Sequence, residues 1–433
     1  MSLENLTSDF TSVSFDEKRV IKILPALRML YSKEGKARAI FCTNEEVLSL
    51  VSDSSSFAKL LKLFTPDSVM HYKYEPLFID SEEDLITPFE DYIERKSYPP
   101  KIVAIKNLGF VALGTTEKEA NIAQSVFLGA IKIATSPESL DGVHHLLDRA
   151  KAAFEGGFKK RLDGKIAIVT GAAQGFGKGI AQGLVEEGAT VVIADINAKG
   201  AEECSRELNA MSDVNSTIAL AVDVTDESSV EKMISDTVLA FGGLDIFVSN
   251  AGVLIAGSIF ELSKENFDFV TSVNYSAYFL CAKHAARIMK IQSDVAPGYL
   301  MDIIEINSKS GLEGSNKNFA YAGSKFGGLG LTQSFALEFI EYGIKVNAIC
   351  PGNLLDGPLW SDPEKGLFKQ YLDAGKVEGA KTIADVRRYY ESRVPMNRGC
   401  QTEDVVRAII YAVEQQYETG QAIPVTGGQV MLK

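Results

Sequence analysis

From Lys165 onward the hydrophobic positions fall into short apolar, β-branched runs separated by stretches of helical spacing. KIAIVTG, TVVIAD, TIALAVDVT, LDIFVSNAG, YLMDIIEINS and IKVNAICPG read as strands. Between them, GKGIAQGLVEEG, ESSVEKMISDTVLAFG and FDFVTSVNYSAYFLCAKHAARIMK place apolar residues on one side of a helix. Strands alternating with helices of this length predict βαβ units, and so an α/β fold with a doubly wound parallel sheet covered on both faces. Ligands of such sheets sit at the carboxyl ends of the strands, which makes the residues closing each run the candidates for chemistry.

Before residue 160 the pattern is less regular and predicts a smaller α+β or α/β domain. The seam reads DRAKAAFEGGFKKRLDGK, a helix-like stretch running into Gly156 and Gly157, then a basic cluster and the Asp163-Gly164 turn. A boundary near residue 160 divides the 433 residues into domains 1–160 and 161–433, in line with the usual size of domains. With 46% apolar and 23% charged residues, each part has material for a core. The net charge of −13 argues against broad nucleic-acid binding, which needs an excess of Lys and Arg. That charge is uneven: residues 1–161 hold 21 Lys+Arg and 23 Asp+Glu, net −2, which leaves −11 for the rest. The opening MSLENLTSDF lacks the basic and apolar regions of a leader, and no run of eighteen apolar residues follows, so a cytoplasmic protein without a membrane segment is expected. Five cysteines, odd in number, far apart and never in C-x-x-C spacing, predict neither disulfides nor a zinc site.

The first strand runs into Thr170-Gly171-Ala172-Ala173-Gln174-Gly175-Phe176-Gly177. Glycines at 171, 175 and 177 permit a tight turn and let backbone N–H groups approach a pyrophosphate at the start of the next helix. Such a cluster alone would equally serve a plain tight turn. Its place between strand and helix, and Asp195 at the end of TVVIAD, favour a dinucleotide whose adenosine ribose hydroxyls meet that carboxylate. A carboxylate repels a 2′-phosphate, and neither Gln174 nor Ile196 and Asn197 supply a cation to hold one, so the expected cofactor is NAD rather than NADP.

The G-x-x-x-G-x-G spacing and the elements after it resemble the short-chain dehydrogenase/reductase family over residues 162–433. Asp223-Val224 matches the pair beside the adenine. Asn250-Ala251-Gly252 matches the N-A-G closing the fourth strand, and Asn274 in SVNYSAYF matches the family's helix asparagine. Ser308 precedes Tyr321 by thirteen residues, and Tyr321-Ala322-Gly323-Ser324-Lys325 matches Y-x-x-x-K. The resemblance implies a Rossmann-type fold, a homo-oligomer (dimer or tetramer) and a catalytic set of Asn274, Ser308, Tyr321 and Lys325. Four residues apart on a helix, Tyr321 and Lys325 share a face, so the ammonium is expected to lower the phenol's pKa from about 10 and prepare it as general acid or base. Ser308, rather than its neighbour Ser310, is expected to hydrogen-bond the reacting oxygen. By the same resemblance Lys325 also binds the nicotinamide ribose, and Asn274 holds a water that connects Lys325 to solvent. A helical asparagine can instead satisfy a nearby backbone group. In the segment starting at Pro351, the family's threonine is replaced by Asp356, which leaves backbone groups around Leu354 to hold the carboxamide.

Further stretches, GNLLDGPLW, YYESRVPMNRGC and TGQAIPVTGGQVMLK, resemble family members acting on polyol phosphates. The implied reaction interconverts sorbitol 6-phosphate and fructose 6-phosphate with NAD and NADH. A phosphorylated substrate needs local cations. Segment 365–398 supplies eight (Lys365, Lys369, Lys376, Lys381, Arg387, Arg388, Arg393, Arg398) against four acids. In the family this region forms a lid, although a solvated helical face would read the same way. Lys309 and Lys317 are equal candidates, and the sequence does not choose among them.

The stretch from ARAIFCTNEEVLSLV to PPKIVAIKNLGFVALGTTEKEANIA resembles the later part of a class II aldolase-like domain. Members of that family bind metal through H-x-H and a third histidine. Here there is no H-x-H, Ser68 stands where the third histidine is expected, and the histidines are His71, His144, His145 and His284. A degenerate, non-catalytic domain without metal is therefore expected, used for folding, subunit contact or shaping the active-site entrance. The competing reading of the whole chain is a dinucleotide-binding scaffold or sensor, or a dehydrogenase of another sugar or polyol. A sensor would not need Ser308, Tyr321 and Lys325 together.

Overall fold

The computed structural model describes residues 10–61, 71–72, 75–135, 160–211, 216–373 and 375–431. Gly156, Gly157, Ser68, His144 and His145 lie outside the described residues. The chain divides into two compact units. One comprises Met1–Gly164 with Ser235–Leu244 and Lys290–Tyr299, and the other takes the remainder from Lys165.

The first unit is built on a four-stranded mixed sheet of order β1-β4-β3-β2, with β1 Arg38–Cys42, β2 Leu77–Ile79, β3 Ile102–Ile105 and β4 Gly109–Gly114. Strand β4 runs antiparallel to both neighbours, and β2 and β3 are parallel. The helix Glu117–Thr135 covers the sheet, burying Ala123, Phe127 and Ile131 with Ile102, Phe110 and Val47 in one core. Phe127 meets Phe110 edge-on at 4.8 Å and Tyr72 at 5.5 Å, the arrangement ring quadrupoles favour. The wholly buried Arg28 donates to the carbonyls of Ala37 (3.0 Å), Gly35 (2.6 Å) and Gly164 (3.1 Å), so its charge is solvated by backbone dipoles.

The second unit holds a seven-stranded, wholly parallel sheet of order β11-β10-β9-β8-β5-β6-β7. The strands are β5 Ile166–Thr170, β6 Thr190–Asp195, β7 Thr217–Ala221, β8 Ile246–Ser249, β9 Met301–Ile306, β10 Ile344–Pro351 and β11 Ala422–Val425. β5, β9 and β10 are buried along their whole length, as strands covered on both faces must be. The six apolar runs read from the sequence are all strands, and the chain has the expected Rossmann-type α/β fold. The strand order reverses between β5 and β8, the switch point where a parallel sheet opens its ligand crevice. No helix among the described residues is long and apolar enough to cross a membrane.

Candidate active site

The loop after β5 gives its three glycines different work. Gly171 has φ +63°, and a Cβ there would lie 2.9 Å from Ala251 Cα. At Gly177 a Cβ would sit 2.1 Å from the Gly171 carbonyl oxygen, so only glycine lets the helix Gly175–Glu186 start against the strand end. At Gly175, φ +59°, a Cβ would meet nothing within 4 Å. Gln174 precedes the helix in extended conformation without capping it through its side chain, which leaves the first N–H groups to an outside acceptor. Phe176 follows Gly175 in the first turn. The switch point is tied together by Asn250, whose Nδ2 donates to the carbonyls of Thr170 (2.8 Å) and Gly171 (3.1 Å). In return, Thr170 Oγ1 accepts from the N–H groups of Asn250 (3.0 Å) and Ala251 (3.1 Å). Gly252 lies next to Asn274, whose Oδ1 would be 3.3 Å from a Cβ there.

Asp195 closes β6 with one carboxylate oxygen accepting from Ala173 N–H (2.9 Å) and the other from Asn197 N–H (2.8 Å), so its orientation is fixed beside the glycine loop. Ile196 is 75% exposed, an apolar side chain at the rim. Asp223 accepts from Thr225 N–H and Oγ1 at 2.9 and 2.7 Å, and Val224 behind it is buried. An open glycine turn, an uncapped helix start and an oriented carboxylate fit a dinucleotide, which these residues could hold.

At the carboxyl end of β9, Ser308 Oγ accepts from Ser310 N–H (3.1 Å) and Ser308 N–H donates to Asn307 Oδ1 (2.8 Å). Asn307 Nδ2 donates to the Lys325 carbonyl and to Glu305 Oε1, both at 2.8 Å, which staples β9 to the helix Phe319–Phe339. Tyr321 is half-buried on that helix, and its carbonyl accepts from Ser324 Oγ at 2.7 Å. Lys325 is 4% exposed, and its ammonium donates to the Ile306 carbonyl at 2.7 Å and lies 3.9 Å from Glu305 Oε1. Glu305 is itself 1% exposed and accepts from Thr332 Oγ1 at 3.3 Å. Burial pushes its pKa up, and the Lys325 charge holds it back. A Cβ at Gly328 would come 2.2 Å from Glu305 Oε1, so a glycine on the helix makes room for this carboxylate. Neither Glu305 nor Asn307 is among the residues expected from the sequence. The available signal was an ionisable residue inside the apolar run IIEIN.

Asn274 lies in a π-helical turn, Ser272–Ser276. Its Oδ1 accepts from Val253 N–H and its Nδ2 donates to the Val253 carbonyl, both at 2.8 Å, with Ser324 Oγ at 3.3 Å. The side-chain amide thus fixes the chain after β8, the backbone-satisfying alternative raised from the sequence. π-turns inside helices recur at functional sites.

Beyond Pro351, which ends β10, the Leu354 carbonyl accepts from Gly357 N–H at 3.0 Å. Three helices follow, Pro358–Ser361, Leu367–Asp373 and Ile383–Ser392, packed around Leu355, Trp360, Phe368 and Val386. Asp356, standing where the threonine was expected, pairs with Arg387 of the third helix at 2.6 Å. His284 is buried with its Nε2 3.0 Å from Glu227 Oε1. Among the described residues no three His, Cys, Asp or Glu side chains gather as metal ligands.

The chain matches the short chain dehydrogenase family over residues 165–362. It is 38% identical to sorbitol-6-phosphate 2-dehydrogenase of Escherichia coli over 269 residues, 62% of this chain and 99% of that protein. The crystal structure of sorbitol-6-phosphate 2-dehydrogenase SrlD from Erwinia amylovora aligns with a TM-score of 0.56 at 37% identity, over 61% of this chain and 100% of that one. An uncharacterized oxidoreductase of Bacillus subtilis, YuxG, is 25% identical over 94% of this chain, which spans 63% of its length. Likeness to an oxidoreductase therefore extends beyond the second unit.

Proposed function

The chain belongs to the short-chain dehydrogenase family, and from that premise we propose that it interconverts a polyol phosphate and a ketose phosphate, sorbitol 6-phosphate and fructose 6-phosphate, with NAD. The observation carrying this reading is the cluster of Ser308, Asn307 and Lys325 around the end of β9, at the same edge of the parallel sheet as an open glycine turn, in a chain alike to enzymes named for that reaction. When bound, the cofactor supplies the hydride acceptor or donor that side chains lack. Residues 1–160 are a non-catalytic degenerate domain in this reading, and residues 161–433 carry the reaction.

Tyr321 takes the proton of the C2 hydroxyl in oxidation and returns it to the carbonyl oxygen in reduction. Ser308 donates its hydroxyl to the same oxygen and keeps its place because the Ser310 and Asn307 contacts fix its rotamer and backbone. Lys325 contributes positive charge one helical turn from Tyr321, and Glu305 and the Ile306 carbonyl hold it. Gly171, Gln174, Gly175, Phe176 and Gly177 would carry the pyrophosphate. Asp195 and Ile196 would carry the adenosine, and Asp223, Val224, Asn250, Ala251, Gly252, Pro351 and Leu354 the remainder. Asp195 disfavours a 2′-phosphate by like charge, hence NAD. Free thiols at all five cysteines suit a cytoplasmic enzyme, and a homo-oligomer is part of the same reading.

Absorbance at 340 nm tests it. NADH oxidation with fructose 6-phosphate should exceed that with NADPH and vanish in Tyr321→Phe. Purified protein that binds NADH but turns over no ketose or polyol, phosphorylated or not, would mark a sensor instead.

A further inference from the structure

Between β10 and the helix Thr402–Glu414 the chain makes an excursion that closes on itself. Cys400 N–H donates to the Asn353 carbonyl at 2.9 Å, so residues 354–399 leave and return at one neck. The three helices of the excursion share a core of their own, Leu355, Trp360, Phe368, Val377 and Val386, in which Trp360 packs on the rings of Phe368 (5.2 Å) and Tyr390 (4.9 Å). Leu355, 1% exposed, ties the turn Leu354–Gly357 into that core, and Ser361 Oγ donates to the Asp356 carbonyl at 3.0 Å.

Charge adds a tie of longer span. Among the described residues, the ion pairs within the excursion are Lys369 with Asp373, Arg388 with Asp385 and Arg387 with Glu391, each inside one helix, and Arg387 with Asp356, which crosses 31 residues of chain. Arg387 Nη2 donates to Asp356 Oδ1 at 2.6 Å while its Nε donates to Glu391 Oε1 at 2.7 Å. Glu391, one turn along the same helix, thereby fixes the direction of the guanidinium fork, and the fork fixes Asp356. Side chains 39% and 55% exposed make the long-span pair a small contributor to global stability, so its consequence is local: it sets where the turn stands.

That turn leaves part of its backbone open. The Leu354 carbonyl accepts from Gly357 N–H at 3.0 Å, which uses one of its two lone pairs, and the Leu354 N–H donates to nothing among the described residues. A free donor beside a free acceptor is the pattern that pairs with a carboxamide, which offers an acceptor and a donor in return. Resting on the NAD reading above, we infer that Arg387 is a positioning residue for the nicotinamide end of the cofactor: through Asp356 it holds the turn Leu354–Gly357 in the place from which Leu354 meets the carboxamide. Asp356 then serves the cofactor by anchoring the backbone that touches it.

Titration of NADH into the full chain, read by quenching of Trp360, the single tryptophan, gives Kd without turnover. Arg387→Met should raise Kd about three- to fivefold at low salt, the scale of an exposed ion pair, and the difference from wild type should shrink at high salt. Asp356→Lys should weaken binding at least as much, because it sets two cations against each other. The charge swap, Asp356→Lys with Arg387→Glu, should bring Kd back to within about twofold of wild type. Lys369→Met, whose partner lies on its own helix, should change nothing. Unchanged affinity in Arg387→Met, a swap no better than the single substitutions, or an equal loss in Lys369→Met overturns the assignment. Should wild type bind no NADH, the cofactor reading fails, and deuterium uptake at the turn alone decides whether Arg387 holds it. Uptake at the Gly357 amide should quicken about three- to fivefold in Arg387→Met and recover in the swap. Uptake unmoved by Arg387→Met removes the strap.

Discussion

Strand β9 carries a buried carboxylate near each end, and each has a lysine. Near the amino end, Asp302 stands opposite Lys345 of β10 in register, at 2.5 Å, and Lys345 also donates to the Ala412 carbonyl at 2.6 Å. Near the carboxyl end, on the other face of the strand, Glu305 lies 3.9 Å from Lys325, whose described hydrogen bond goes to a carbonyl instead. The first pair is closed: two strong acceptors at short range, on a strand and a helix, leave Lys345 nothing to do but hold them. In the second the ammonium is held at a distance by its carboxylate, and with three N–H donors it keeps capacity for other partners. Both pairs have given up water, so neither is a cheap source of stability. In the proposed reaction, chemistry belongs to the carboxyl ends of the strands and stitching to the amino ends.

The same substitution at both lysines should break that symmetry most visibly. Lys325→Met is expected to lower kcat/KM about 100- to 10,000-fold, the usual yield of a positioned acid–base system, with a normal far-UV spectrum. Lys345→Met should instead cost about 3–5 kcal/mol in urea unfolding, because Asp302 is left buried without its partner, while the folded fraction keeps its turnover number. Replacing both members, Asp302→Leu with Lys345→Met, should recover most of that loss. If Lys345→Met silences the folded enzyme, the two ends of β9 are not separate in role.

The sequence makes one side of this contrast legible and hides the other. Buried parallel strands show themselves as apolar runs, and Gly171, Ser308, Tyr321 and Lys325 sit in spaced motifs, so the sheet and the candidate site at its edge could be read from residue order. Strand β11 could not: it is four residues long, contains Pro424, and gains its identity only by pairing with β10 at the sheet edge. Glu305 and Asn307 appear in IIEIN as polar interruptions, and nothing in spacing says that both meet Lys325. The π-turn at Asn274 leaves apolar periodicity nearly unchanged, which hides how its amide is used. In the first unit the order β1-β4-β3-β2 rests on pairings between distant segments. Which of the ten cations are committed to ion pairs, Arg387 with Asp356 among them, depends on the carboxylates that the fold brings within reach.

A weaker break in the comparison comes from pH. Burial outweighs the pull of Lys345 and raises the Asp302 pKa to about 6, above the value near 4 of an unfolded chain. The folded state therefore binds this proton more tightly than the unfolded one. Its contribution to stability is full below pH 4, declines as pH rises through 6, and is constant above that. Urea midpoints of wild type relative to Asp302→Asn should accordingly fall between pH 4 and pH 6.5, by the equivalent of about 2 kcal/mol. A difference that grows with pH over this window would mean that the ion pair governs and burial does not.

The smallest effect concerns Glu305, and it separates holding from stitching most sharply. Glutamine keeps the shape and the bond from Asn307 Nδ2 but imitates the protonated acid, so Glu305→Gln removes only the charge facing Lys325. Burial already favours the neutral form of Glu305 in wild type, with Lys325 opposing, so wild type should approach the variant as pH falls. The wild-type to variant ratio of kcat for polyol oxidation is expected to be about three- to tenfold at high pH and to shrink toward one at low pH, an effect of up to roughly 1.4 kcal/mol. A purely structural carboxylate would give a ratio independent of pH, since lost packing does not titrate. In that outcome Glu305 would belong with Asp302 as a stitch in the sheet, and Lys325 would be positioned by the Ile306 carbonyl alone.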